Sequence, residues 1–212
     1  TGFGGTSTSA ALVSGVVALM LEEAPNLTWR DVQNILIRTA KKVDANDGDW
    51  IDNAAGLSFN HKYGAGLVDA AVAVDSASRT AAGTNPSLGA AERHQRSRFF
   101  SSLSNDPSIQ SGEVPDNDGS SLLIGFDMTT DVEGNARPNL RVEHVELNAT
   151  IITQSRTDLE IVLISPNGTQ SILQAVDADN TEQSISRWTF MSVRNWGEGS
   201  AGTWVVRVTD RI

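Results

Sequence analysis

Gly4-Gly5-Thr6-Ser7-Thr8-Ser9-Ala10-Ala11-Leu12-Val13-Ser14-Gly15-Val16-Val17-Ala18-Leu19-Met20-Leu21-Glu22-Glu23 lies at the start of a chain of 212 residues, and its reading decides the fold. Small residues crowd the beginning, and Val16, Val17, Leu19, Met20 and Leu21 crowd the end. The pattern predicts a tight glycine turn leading into a helix over Thr8–Glu23, buried on most sides. Pro25 and Asn26 stop it. Thr28 then suits the N-cap of a second helix, Trp29 to Ala40, with Asp31 three residues on in a capping-box position. Val32, Ile35, Leu36 and Thr39 recur at helical spacing, so this second helix is amphipathic. After the Asp-rich stretch Asp44–Asp52, Tyr63-Gly64-Ala65-Gly66-Leu67-Val68-Asp69-Ala70 predicts a turn into a short helix through Val74.

The far end of the chain reads differently. Leu140 and Val142, and then Val145, Leu147, Ala149 and Ile151, suggest one strand with a single irregularity, read as a bulge. Leu159, Ile161 and Leu163 alternate up to the turn Ser165-Pro166-Asn167-Gly168, and the pattern resumes at Ser171 to Leu173. Trp204, Val206 and Val208 alternate again. Short strands separated by Gly, Pro, Asn and Asp turns predict an all-β sandwich, and about a hundred residues suffice for one such core. The expected organisation is an α/β part over residues 1–75, an Ala/Ser/Gly-rich linker over 76–109, and the β domain over 110–212.

Composition narrows the chemistry. The net charge is −10, and no lysine occurs from residue 110 onward, which argues against a nucleic-acid binder held by phosphate contacts. The absence of cysteine excludes disulfide scaffolds, thiol catalysis and thiolate metal sites. The longest apolar stretch, Ala10 to Leu21, is broken by Ser14 and Gly15 and is too short to span a bilayer. The chain opens at Thr1, without methionine and inside a glycine-rich motif, which suggests a cut start.

Ser7 is the foremost candidate for chemistry. Glycines let backbone approach a site closely, and the free N–H groups of a helix start can hold a developing oxyanion. A serine hydroxyl needs a neighbouring base to become a nucleophile. The alternative is that Ser7 simply caps the helix. The esterase pattern G-x-S-x-G fails, because Ser9 stands where glycine is needed. Asp44-Ala45-Asn46-Asp47-Gly48-Asp49 offers oxygen ligands but departs from the EF-hand template, so a hydrated surface loop is expected there. His61, His94 and His144 are expected to be structural or solvent-exposed, with His144 inside a strand. The tryptophans Trp29, Trp188, Trp196 and Trp204 are expected to fill cores.

Gly5-Thr6-Ser7-Thr8-Ser9-Ala10 with Gly15 resembles the nucleophile motif of subtilisin-like serine proteases. Asn26 to Gln33 and His61 to Ala70 resemble later stretches of the catalytic domain in the kexin- and furin-like proprotein convertases. Val114-Pro115-Asp116-Asn117, Asp158 to Thr169, Trp188 to Val193, Trp196-Gly197-Glu198 and Gly202-Thr203-Trp204 resemble the P domain of that subfamily. The resemblance implies an α/β subtilisin-like catalytic-domain fragment followed by a jelly-roll P domain. It implies a secreted or secretory-pathway serine endopeptidase that cuts polypeptides after basic residues. Ser7 would be the nucleophile, and the Asp, His and oxyanion Asn of the family would lie upstream of Thr1. The upstream half of the catalytic domain is then an implied partner, and no nucleic-acid or membrane partner is implied. Calcium is the implied cofactor, without assigned ligands; Asp116, Asp118, Asp158 and Asp210 approach one another only if the sandwich brings them together. The family's proline four residues after the nucleophile is Ala11 here, a good helix former, so the helix is expected to survive. Arg93-His94-Gln95-Arg96-Ser97-Arg98 in the linker resembles a sequence that such enzymes cleave, and otherwise is a solvated basic linker. The competing functional reading is a non-catalytic stabilising or protein-binding module, because this sequence supplies no base for Ser7.

Overall fold

The structure is a computed structural model that describes residues 5–89, 114–115, 119–131, 133–153, 155–177 and 184–212. Contacts divide it into two compact units, Thr1–Asp52 with Leu57–Arg93, and Asn53–Gly56 with His94–Ile212.

The first unit is built from α1 (Thr6–Glu23), α2 (Trp29–Thr39), a small ribbon of β1 (Ile51–Asp52) and β2 (Ser58–Phe59), and α3 (Ala70–Ala81). The second and third helices start where local chemistry supplies a side-chain cap. Thr28 accepts from the Asp31 N–H while the Asp31 carboxylate accepts from the Thr28 N–H, so α2 opens with a complete capping box. Asp69 caps α3 by accepting from the Val72 N–H at 3.2 Å, and that helix continues past the expected Val74 to Ala81. Val16 and Met20 of α1, Val32 and Ile35 of α2, and Ala73 and Ala77 of α3 form one core, with Ala24. Ala73 and Ala77 are fully buried, so close helix approach stands in for large side chains there. Lys41 and Leu67 exchange backbone hydrogen bonds of 2.9 and 2.8 Å. Gly66, at φ 125°, is needed beside them, since a Cβ would overlap the Lys41 carbonyl.

The expected burial of α1 on most sides is not met within this chain. Only Val16 and Met20 of that helix are buried, while Leu12 is 66% and Leu19 49% exposed. Among the described residues, the covered side of α1 packs into a core whose other helical members come from α2 and α3 alone.

The second unit contains β3 (Leu122–Asp127), β4 (Val145–Ile151), β5 (Leu159–Ile164), β6 (Gln170–Gln174), β7 (Ile185–Ser192) and β8 (Thr203–Asp210). One antiparallel sheet has the order β3-β8-β5-β6, and β4 pairs antiparallel with β7. Leu159, Ile161 and Leu163 of β5 and Trp204, Val206 and Val208 of β8 face a single core. Ile185 of β7 joins them, with Val145, Leu147 and Phe190 packed against it, so both sheets share that core. The period-two pattern therefore reports real burial. The turn after β5 closes through Gly168 N–H to the Ser165 carbonyl at 2.9 Å.

Three expectations are corrected. The irregularity before β4 is not a bulge in one strand: Arg141 bridges Gly199 and Val142 donates to the Glu198 carbonyl, and the register shift lies between Ala149 and Ile151. His144 is exposed and sits just ahead of β4 rather than in it. Trp196 and Trp204 are buried, but Trp29 is 50% and Trp188 58% exposed. Trp29 is the first residue of α2, ahead of the helix turns that meet the core. Trp188 follows Arg187, whose φ of 48° interrupts the regular path of β7, and it stands edge-on to Phe190.

Candidate active site

Ser7 lies inside the first turn of α1, not before the helix as the sequence suggested. Gly5 takes the N-cap with φ 112°, a conformation open to glycine, and Thr8 N–H reaches the Gly5 carbonyl at 3.2 Å. The capping alternative for Ser7 is thereby removed. No side chain caps α1 and no acidic residue occupies its first turn. The positive end of the helix dipole at Ser7 is consequently not neutralised from within the helix. Ser7 is exposed. Such an arrangement presents an Oγ and helix-start N–H groups to one region of solvent, which suits a nucleophile beside an oxyanion site.

No histidine is placed as its base among the described residues. The His61 Nδ1 is 2.7 Å from an Asp49 carboxylate oxygen, and its backbone N–H also donates to Asp49. His144 is exposed in the other unit. His94, with the rest of Arg93 to Arg98, lies outside the described residues, as do Asp116 and Asp118.

The Asp-rich loop is cross-linked by its own chain. Asp47 accepts from Asp49 N–H at 2.9 Å, from Asn60 Nδ2 at 3.0 Å and from Lys62 Nζ at 2.5 Å. The Lys62 ammonium and these donors bring its carboxyl down to about 2. Trp50 stacks on Tyr63 with ring centroids 6.1 Å apart, and Lys42 lies 5.6 Å over the Trp50 ring. Asp47 and Asp49 thus direct their oxygens at Lys62, Asn60 and His61, and the loop does not fit a calcium ion. Among the described residues no three His, Asp or Glu side chains converge as metal ligands. No helix among them is long and apolar enough to cross a membrane.

Asp31 does more than its capping-box spacing indicated. Its buried carboxylate also accepts from Ser87 Oγ at 2.9 Å and from Leu88 N–H at 2.6 Å, while Arg30 Nη1 donates to the Leu88 carbonyl at 3.1 Å. Burial raises its pKa, but the Thr28 hydroxyl, the Leu88 and Thr28 N–H groups and the Ser87 hydroxyl together outweigh this and hold it below the usual range. The segment after α3 is thereby tied to the start of α2. Nothing local in the sequence announces contacts between positions this far apart.

Comparison with known proteins gives these residues a lineage. Residues 1–66 match the model of the subtilase family, and residues 142–212 match that of the proprotein convertase P-domain. A PC3-like endoprotease, variant B, of Hydra vulgaris is 36% identical over 209 residues, covering 98% of this chain and 27% of the relative. Human proprotein convertase subtilisin/kexin type 6 is 34% identical over 211 residues, covering 99% of this chain and 20% of the relative. The chain therefore spans about a quarter or less of the length of these curated relatives. The crystal structure of a serine protease of Aeromonas sobria shares the fold, with a TM-score of 0.69 at 24% identity, over 94% of this chain and 36% of that one. A subtilase match and a proprotein convertase P-domain match thus stand in one sequence, and the chain is similar along nearly all of its length to proprotein convertases.

Proposed function

We propose that this chain is the nucleophile-bearing part of a serine endopeptidase that cleaves polypeptides after basic residues, with Ser7 as the nucleophile. The observation that carries the reading is the exposed Ser7 at an uncapped, glycine-entered helix start within the subtilase match. In the proposed mechanism Ser7 Oγ attacks the substrate carbonyl as a histidine outside this sequence takes its proton. The Ser7 N–H and an asparagine side chain, also outside this sequence, receive the oxyanion. In this reading the end of the catalytic domain runs past the expected residue 75, through α3 and the Ser87–Leu88 segment bonded to Asp31, and a linker then leads to a jelly-roll P domain over 110–212. The family lineage further supports a secretory location and calcium held by residues outside the described loop. Arg93 to Arg98 is proposed as a self-processing site.

A fluorophosphonate probe applied to the active full-length enzyme tests this. Mass spectrometry is expected to find the adduct on the peptide containing Ser7, and Ser7→Ala is expected to lose adduct and peptidase activity by about 10³-fold or more. The same variant is expected to remain uncut at Arg93 to Arg98. Retained hydrolysis of Arg-containing peptides by Ser7→Ala would refute the assignment. An enzyme with no labelled serine and no activity in any form would favour the non-catalytic module, a reading supported by the lack of a placed base among the described residues.

A further inference from the structure

Asn53–Gly56 connects β1 to β2, yet by its contacts it belongs to the second unit. Asn53 is buried, and its Nδ2 spends both hydrogens on backbone carbonyls: Arg194 at 2.9 Å and Trp196 at 3.0 Å. Its Oδ1 accepts from the Ala55 N–H at 2.9 Å, and Gly56 N–H returns to the Asn53 carbonyl at 2.8 Å, closing a tight turn. The next amide, Ala54 N–H, donates to Glu198 Oε1 at 3.0 Å. Glu198 is only 2% exposed, and it also takes Thr169 Oγ1 at 2.5 Å and Asn195 Nδ2 at 3.3 Å. A carboxylate removed from water is tolerated only when donors surround it, so the turn supplies one that the strands of this unit do not. The receiving backbone is itself well anchored: Gly197 N–H reaches the Val142 carbonyl at 2.7 Å, and Val142 N–H the Glu198 carbonyl at 2.9 Å.

We propose that the P-domain unit is discontinuous and contains a turn-recognition site, made by the Arg194 and Trp196 carbonyls and the Glu198 carboxylate, whose occupant is the Asn53–Gly56 turn of the same chain. Asn53 is its recognition residue. The site requires a side-chain amide with two donors followed at once by a free backbone N–H. Asparagine meets this, whereas aspartate, equally able to form the turn through Oδ1, presents no donor and adds a negative charge. A stretch beginning after the linker would fold without this donor to Glu198.

The difference between asparagine and aspartate provides the test, by hydrogen exchange with mass spectrometry on the full chain. Asn53→Asp is expected to speed exchange about tenfold or more in peptides covering Val142 and Trp196–Glu198, while α2 and α3 keep their protection. Asn46→Asp, an exposed asparagine of the neighbouring loop, is expected to change nothing in those peptides. Wild-type exchange at 193–198 in Asn53→Asp would make Asn53 a mere turn former and overturn the proposal. Should Asn53→Asp fail to fold, Asn53→Ala carries the readout. Deprotection centred on 193–198 supports the site, and change confined to 51–59 overturns it.

Discussion

Asp47 shows how much one side chain contributes to the loop between α2 and β1. Its carboxyl is held at about 2 by the Lys62 ammonium, the Asp49 N–H and the Asn60 amide, against about 3.9 in an unfolded chain. A depressed carboxylate favours the folded state above the unfolded pKa and loses that advantage as the pH falls through the folded one. The stability that Asp47 contributes is therefore expected to be complete above about pH 4 and lost progressively between about pH 4 and 2, while its cross-links persist until the carboxyl protonates at the bottom of that window. Carboxyl-carbon NMR titration checks this, with Asp47 expected to titrate near the bottom of that window. A midpoint near that of a free aspartate would show that Lys62 is not its partner in solution. The same accounting explains why the acidic loop is an unsuitable calcium site: its charge is already used internally.

At the scale of elements, the caps distinguish α1 from its neighbours. The α2 cap joins Thr28, Ser87 and Leu88 in one hydrogen-bonded cluster around the buried Asp31, so it fixes both a helix start and the segment following α3. Thr28→Ala is expected to destabilise the first unit by about 1 kcal/mol, as N-cap losses generally do. Asp31→Ala is expected to cost more, since the N–H groups of Thr28 and Leu88 then lose their acceptor. Thermal unfolding of both variants tests the order, and equal losses would mean that Ser87 and Leu88 gain nothing from Asp31. By contrast α1 begins at Gly5 with no side-chain cap. A helix start left open next to an exposed serine sacrifices local stability where the proposed chemistry needs free N–H groups.

For the whole molecule, the most telling surface is the uncovered side of α1. Leu12 and Leu19 are exposed there on one face, and Leu21, Leu67 and Val72 are exposed elsewhere in the same unit. Such apolar surface favours a covering partner. The 212-residue chain alone is expected to bind a hydrophobic dye such as ANS strongly, and a longer protein that includes the rest of the subtilase domain is expected to bind it several-fold less. Equal dye binding by both would argue that no further part of the catalytic domain covers α1.

The sequence by itself determined the elements and the candidate nucleophile. Capping boxes, period-two runs and the Ser165–Gly168 turn are local, and local chemistry suffices to form them. The Gly-Thr-Ser motif at Ser7 was legible for the same reason, although the helix starts earlier than its pattern implied because Gly5 can adopt the cap conformation that other residues avoid. Tertiary structure alone decided the rest. Asp31 meeting Leu88, Asn53 meeting Arg194 and Trp196, and Glu198 buried against Ala54 join residues far apart in sequence, with no periodicity to mark them. It also decided which tryptophans are buried. Trp204 joins the sandwich core and Trp196 is buried as well, while Trp29 and Trp188 have the same chemistry but are exposed. Hydrophobicity states what a residue gains from burial; only the packed fold states whether a covering surface exists.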